Sequence, residues 1–122
     1  MAITVQPTSI YFQVDISCQI FTNWCVSLKV IELDTFFPNT AVVTVGPKCL
    51  DHRGTIALNT NGEIAGDGWF GNRFEFMGEV THNCTRKGET LMFHRRLGYY
   101  PDHLKAIRRK FRVEVNEKGV NQ

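Results

Sequence analysis

The sequence predicts an all-β protein, a β-sandwich of two antiparallel sheets with one short helix before the last strand. Short runs of alternating or β-branched apolar residues recur along the chain, turn-forming residues separate them, and one stretch carries helical signals. Many short strands between turns are typical of a sandwich or barrel, whereas a parallel sheet alternates strands with helices. Because the chain has 122 residues, we expect a single domain over residues 1–122.

Seven segments have the composition of strands. In chain order they cover residues 9–16, 25–33, 40–45, 54–58, 63–65, 73–82 and 111–115. The Gly46-Pro47 pair ends the third strand, and Asn61-Gly62, a strong turn signal, predicts that the fifth strand returns from the fourth as a hairpin. Alternation predicts that these residues point inward: Phe12, Val14, Leu28, Val30, Val43, Val45, Ile56, Phe74, Phe76, Val113 and Val115.

Residues 101–110 carry the helical signals. Pro101 stands in the first turn, Asp102 follows it, and three consecutive cations at residues 108–110 complement the dipole of the last turn. We therefore expect the short helix here, directly before the final strand.

Composition excludes two classes of protein. With 43% hydrophobic and 21% charged residues, the chain is too apolar for intrinsic disorder, and it contains no run of about 18 apolar residues that would span a membrane. Its first residues lack the basic head and apolar stretch of a standard signal peptide. Two alternatives therefore stay open, a cytoplasmic protein or a mature secreted chain that received a new initiator Met.

Four cysteines favour an extracellular protein. Cys18, Cys25, Cys49 and Cys84 form an even set without a C-x-x-C pair. This disfavours a structural zinc site and allows two disulfides, in any of three pairings. We expect at least one disulfide if the chain folds in an oxidising compartment. Asn83 begins an Asn-Cys-Thr sequence, which is an N-glycosylation acceptor in a secreted glycoprotein.

Charges are distributed unevenly along the chain. Residues 1–85 hold four basic and eight acidic residues, whereas residues 86–122 hold ten basic and four acidic ones. A basic C-terminal third of this kind can face an anionic partner. The binding residues predicted there are four arginines for charge and two tyrosines for apolar contact: Arg95, Arg96, Arg108, Arg109, Tyr99 and Tyr100. The alternative is that these charges only solvate a helix and a strand.

Other candidate sites have weaker signals. Trp69 and Phe70 lie between glycines, either as an exposed tip that binds a partner or as a plug that folds onto the core. His82, Cys84 and His94 have metal-ligating side chains, but a closed zinc site needs four ligands. No pattern places a base beside a cysteine thiol. We therefore predict no enzyme, no catalytic residue, no metal and no cofactor.

Four stretches resemble the nematode transthyretin-like family. Residues 30–35 resemble its early strand followed by Asp, and residues 60–64 with a following glycine resemble its T-D-x-x-G-x-F turn. Residues 81–84 are similar to its H-x-C strand, and residues 109–111 to the R-K pair that begins its last strand. These stretches occur in the family's order between residues 14 and 115.

The resemblance implies a prealbumin-like sandwich and a secreted protein without enzymatic activity. The fold class that we expect is therefore a prealbumin- or immunoglobulin-like sandwich. Two departures accompany it. Ile107 and Arg108 stand where the family has its second cysteine, so Cys84 is left to pair with one of the other three cysteines. Residues 91–110 form a helix-like insert between the two matching strands.

The predicted function is therefore a secreted, non-enzymatic binding module. By the resemblance it recognises a lipid, a small hydrophobic ligand or a cell-surface partner, and the basic third favours an anionic lipid or a protein surface. The alternative is a cytoplasmic β-domain that binds nucleic acid through its basic C-terminal third, since arginines and adjacent tyrosines combine charge with stacking.

Overall fold

A computed structural model describes residues 7–20, 22–33, 39–65 and 73–122. Within these ranges the chain forms nine strands and no helix, so nothing there has the length and apolarity of a membrane-spanning helix. The strands are β1 (Thr8–Cys18), β2 (Trp24–Leu33), β3 (Thr40–Leu50), β4 (Gly54–Asn59), β5 (Gly62–Ile64), β6 (Arg73–His82), β7 (Leu91–Pro101), β8 (Ala106–Glu114) and β9 (Val120–Asn121). The predicted all-β class is confirmed.

The strands form two sheets. In the first sheet, β1 pairs antiparallel with β4 and β5 and parallel with β8. The second sheet is antiparallel, in the order β3-β2-β6-β7-β9. A parallel pair needs a long crossover connection, and β8 reaches β1 only after the chain has passed through β6 and β7 of the second sheet.

The core lies between the inner faces of the two sheets. Along β1, residues 10, 12, 14 and 16 are at most 1% exposed, because successive side chains of a strand point to opposite faces. Phe12 meets Phe76 of the other sheet edge-on, with ring centroids 5.7 Å apart. The predicted inward residues are buried, apart from Val43 and Val45, which are partly buried against the core on the edge strand β3.

All four cysteines are paired. Cys18 at the end of β1 bonds to Cys84 after β6, and both are fully buried, so this disulfide joins the two sheets. Cys25 bonds to Cys49 across the β2–β3 pair, where Cys49 is exposed. The predicted disulfides are confirmed, and a crosslink of this kind stabilises a small domain by about 2–4 kcal/mol.

The predicted helix over residues 101–110 is wrong. β7 ends at Pro101, and after a turn β8 begins at Ala106. Over its whole length β8 pairs with β1, and it buries Ile107 and Val113 on the core side. A short isolated helix is marginal in water, whereas the strand gains a full ladder and two core side chains, so tertiary contacts override the local capping signals. The helix-like insert is likewise β7, a turn and the start of β8.

The predicted hairpin at Asn61-Gly62 is also wrong. β4 and β5 do not pair with each other, because both pair with β1 in one continuous register. Thr60 bridges them: its N–H donates to the carbonyl of Phe12 at 2.8 Å, and its Oγ1 accepts from the N–H of Phe12 at 2.9 Å. A Cβ at Gly62 would lie 3.3 Å from Val43 of β3, so glycine allows the close approach of these strands.

The third strand does not end at Gly46-Pro47 as predicted. It continues to Leu50, and a register shift between Val26 and Leu28 of β2 absorbs the irregular pair. Gly46 has a φ of +97°, and a Cβ there would lie 2.9 Å from the carbonyl oxygen of Val26. A bulge thus replaces the expected turn, and the continued strand places the cysteines of the second disulfide opposite each other.

Candidate functional site

One side of the sandwich is open. Within the described ranges, β8 pairs only with β1, and the edge of β7 that faces away from β6 pairs only at its first two residues, with β9. These two edges border a groove of about 350 Å³, which we call the open-side groove. Its lining residues come from β7 and β8: Arg95, Arg96, Leu97, Gly98, Tyr100, Arg109, Lys110 and Phe111.

A bulge shapes the β7 wall of this groove. A register shift beside Phe76 leaves Leu97 without a partner on β6, and Gly98 follows with a φ of +110°. The extra residue reverses the alternation, so Leu97 and Tyr100 are both buried while Tyr99 is 50% exposed. The hydroxyl of Tyr100 donates to the carbonyl of Leu97 at 2.6 Å, which closes the bulge.

Four arginines on β7 and β8 each lie over an aromatic ring. The distances from guanidinium carbon to ring centroid are 5.5 Å for Arg95–Phe111, 5.3 Å for Arg96–Tyr99, 4.2 Å for Arg108–Tyr11 and 5.7 Å for Arg109–Tyr100. A ring face attracts the cation by roughly 0.5–1 kcal/mol at an exposed site. The contact restricts the guanidinium plane and leaves N–H donors for other partners.

Nearby carboxylates do not balance this charge. Arg96 is paired with Glu75 and Lys110 with Asp15, each at an N–O distance of 3.7 Å. The other stacked arginines have no carboxylate oxygen within 4.0 Å in the described part of the chain: Arg95, Arg108 and Arg109. Because a guanidinium fork matches the oxygens of carboxylate and phosphate, the open-side groove can bind an anion.

Tyr100 adds no negative charge to the groove. Burial raises the pKa of Tyr100 above its ordinary value of 10.0, and the nearby Arg109 opposes part of that rise. The phenol therefore keeps its proton at neutral pH, and it acts as the donor that holds the bulge.

A second basic surface lies on the opposite side of β8. Arg108, Lys110 and Arg112 occupy alternate positions and are exposed on the face of the sheet that points away from the core. We call these three residues the outer row. Grooves of about 490 Å³ and 660 Å³ lie along it. β8 therefore presents cations on both sides.

The structure divides the predicted binding residues between these two surfaces. The open-side groove receives Arg95, Arg96, Tyr100 and Arg109, with Tyr99 against Arg96, while Arg108 joins the outer row. Trp69 and Phe70 lie outside the described residues. Sequence reasoning missed Lys110, Phe111 and Tyr11. The predicted helix over residues 101–110 concealed the strand position of Lys110, whereas Phe111 lay in the predicted final strand and was not assigned to a site.

Two polar residues near the first disulfide have structural roles. His82 is buried, with Nε2 2.7 Å from the carbonyl oxygen of Lys118, and its Nδ1 accepts from the N–H of Cys84 at 3.0 Å. Burial lowers the pKa of His82. The Oδ1 of Asn83 accepts from the N–H of Cys25 at 2.7 Å, and glycosylation of Asn83 stays a prediction.

The described residues contain no group of three side chains placed to bind a metal.

Comparison with protein families gives a match over most of the chain. Residues 13–122 match a family described as Caenorhabditis elegans protein of unknown function (DUF870). The chain belongs to the DUF870 family. In this DUF870 protein, the matched region contains all four cysteines and both walls of the open-side groove. No curated protein and no solved structure matches the chain.

Proposed function

We propose that this DUF870 protein is a secreted, non-enzymatic binding module whose open-side groove holds an anionic group of a cell-surface partner. The observation that carries the proposal is that Arg95, Arg96 and Arg109 line one groove, each with its guanidinium over an aromatic ring. Two of the three have no acidic partner among the described residues. An oriented, unpaired guanidinium gains charge-assisted hydrogen bonds when an anion binds.

The position of the groove favours a charged group over a small apolar ligand. Large side chains such as Trp24, Phe12 and Phe74 fill the space between the sheets. Apolar ligands prefer enclosed pockets with mainly apolar walls, whereas this groove is open and carries four cations. An anion needs oriented donors, and the groove supplies them.

Two disulfides support secretion. Persistent disulfides are typical of extracellular and other oxidising compartments, and they are rare in the cytoplasm. The resemblance to secreted transthyretin-like proteins supports the same location. A cytoplasmic nucleic-acid-binding domain would keep its four thiols reduced and lose both crosslinks, so we favour the secreted protein.

We also propose that the sandwich is of the prealbumin type. In an immunoglobulin constant domain, the first strand shares a sheet with the second, fifth and fourth strands. Here β1 shares a sheet with β4, β5 and β8 and is separate from β2. The prealbumin-like sandwich that the transthyretin-like resemblance implies is therefore the better candidate.

The chemistry of the groove supports binding without catalysis. Its polar side chains are those of arginine and lysine, which donate hydrogen bonds and do not accept them, and one buried tyrosine that keeps its proton. His82, a candidate base elsewhere in the chain, has both ring nitrogens in contact with backbone groups. General acid–base catalysis needs a group that exchanges its proton near neutral pH, so we assign the groove to binding.

Side-chain NMR of the arginines tests the proposal. When isotope-labelled, disulfide-intact protein is titrated with inorganic pyrophosphate, the Nε–H signals of Arg95, Arg96 and Arg109 should shift first. Replacing all three by Ser should abolish saturable binding. The control variant Arg86→Ser/Lys87→Ser removes exposed cations from the loop after β6 and should retain it. Equal shifts at all arginines, or binding that survives the triple replacement, would overturn the anion site.

A separate experiment tests the compartment. The protein, tagged and expressed from its native gene, should be recovered in the extracellular fraction without free thiols. Alkylation of the native protein followed by intact-mass measurement counts those thiols. Recovery in the cytoplasm with four alkylated cysteines would overturn the secreted model.

A further inference from the structure

The strand β8 carries a line of charge. Residues 108–112 read Arg-Arg-Lys-Phe-Arg, with Arg108, Lys110 and Arg112 in the outer row, while Arg109 and Lys110 line the open-side groove. Basic runs of this length are typical of patches that bind nucleic acid or heparin. Alternate residues of a strand lie about 6.6–6.8 Å apart, so the outer row extends over about 13 Å.

The grooves beside β8 follow the strand instead of surrounding one point. The open-side groove adjoins another groove of about 450 Å³, which shares Arg95 and also includes Arg112 and Lys118. On the outer face, grooves border β8 from Arg108 to Glu114. The basic part of this surface runs from Arg108 to Arg112, and Asp15 and Glu114 border its Arg112 end. A basic surface that follows a strand fits a linear polyanion better than one small anion.

This surface has few apolar anchors for a membrane. The large hydrophobic residues that are exposed in the described ranges are Tyr99 and Val120, and Val120 lies on β9, which pairs with the start of β7. The rings of Tyr11 and Phe111 lie against guanidinium groups. Faces that insert into a lipid interface combine their cations with a broad apolar face, so an anionic membrane fits this surface less well.

We infer that the anionic partner is a linear sulfated polysaccharide of the cell surface, which runs along β8 and contacts both the outer row and the open-side groove. The inference rests on the proposed function, because it names the ligand of the same basic surface. Repeated sulfate groups along the polymer meet repeated cations along the strand. The secreted location that the two disulfides support makes a nucleic acid a poorer candidate.

Cations on an edge strand have a second possible role, because they prevent edge-to-edge pairing between sheets. The two roles respond differently to charge reversal. Glutamate keeps like charges along the edge and so protects it, but it repels sulfate. The outer-row variant Arg108→Glu/Lys110→Glu/Arg112→Glu should therefore keep the oligomeric state of the wild type and lose polysaccharide binding. If this variant binds the polysaccharide as the wild type does, the outer row only prevents pairing at the strand edge, and the inference fails.

Calorimetric titration with a heparin octasaccharide provides the direct test, using the full-length, disulfide-intact protein. Replacing the three outer-row cations by Ser should weaken binding by more than about tenfold, because each lost charge-assisted hydrogen bond contributes to affinity. A control that lowers the net charge equally, Lys29→Ser/Lys48→Ser/Lys87→Ser, uses exposed lysines on other strands and loops and should change affinity less than about threefold. A fully desulfated octasaccharide should not bind.

Other ligands separate failure of this inference from failure of the proposed function. Tighter binding of vesicles of equal parts phosphatidylserine and phosphatidylcholine, or of single-stranded DNA, would overturn the polysaccharide while keeping an anion site. Absence of octasaccharide binding would also overturn it, and the pyrophosphate titration then decides whether the anion site itself stands. If the outer-row Ser variant does not fold by circular dichroism, Arg95→Ser/Arg109→Ser tests the same polymer from the groove, with the same expected loss.

Discussion

Removing the disulfide between Cys18 and Cys84 should destabilise the protein by about 4 kcal/mol. The two cysteines are 66 residues apart. With the second disulfide intact, which bypasses 24 of those residues, the effective loop has about 42. The chain-entropy relation then gives about 13 cal/mol/K, or about 4 kcal/mol at room temperature. That is a large part of the roughly 5–15 kcal/mol by which domains of this kind are stable.

The measurement compares the wild type with Cys18→Ala/Cys84→Ala by urea and thermal unfolding without reductant. With an unfolding entropy of roughly 2.1 cal/mol/K per residue, the loss corresponds to a decrease in Tm of about 15 °C. The matched control, Cys25→Ala/Cys49→Ala, opens a loop of 24 residues and should cost about 3.5 kcal/mol. A loss below about 1 kcal/mol for the first pair would refute the reasoning, because the unfolded chain would then not be restrained by this crosslink.

Two further predictions concern a buried histidine and the β7 bulge. Burial lowers the pKa of His82 below its ordinary value of 6.5, so below pH 6.5 the unfolded chain binds more protons than the native protein. The free energy of unfolding should therefore fall as the pH decreases, by up to about 1.4 kcal/mol per pH unit. In urea titrations across this range, His82→Gln should lack that dependence and His103→Gln should keep it; an unchanged slope in the first variant would contradict the assignment. Gly98→Ala should cost about 1–3 kcal/mol more than Gly88→Ala in the same assay, since both glycines have positive φ but only Gly98 would place its Cβ 2.9 Å from the Tyr100 hydroxyl. Equal losses for the two alanine variants would show that this contact does not restrict the bulge.

The core could be predicted from the sequence because side-chain alternation is a local property. On β1 and β6, each second residue is buried, and these residues are apolar apart from Thr8 and His82. β3 follows this rule less closely. Val43 and Val45 are only partly buried, because an edge strand covers the core from one side and leaves its other side to solvent.

The candidate site could be predicted only in part. The basic C-terminal third and its arginines are visible in the sequence, but the local signals of residues 101–110 indicate a helix. Residues 106–114 form a strand because they pair with β1, which lies near the start of the chain. A pattern that extends over a few residues carries no information about such a distant partner.

By itself, the sequence determined the all-β class, most strand positions, the even set of cysteines and the basic C-terminal third. Each depends on residue type and on neighbours a few positions away. The tertiary structure decided which cysteines pair, that β8 joins β1 in parallel, and that β7 bulges at Leu97. These features depend on hydrogen bonds and packing between segments far apart in the chain. The open-side groove belongs to the second group, because its arginines meet only where two strand edges of the packed sandwich face each other.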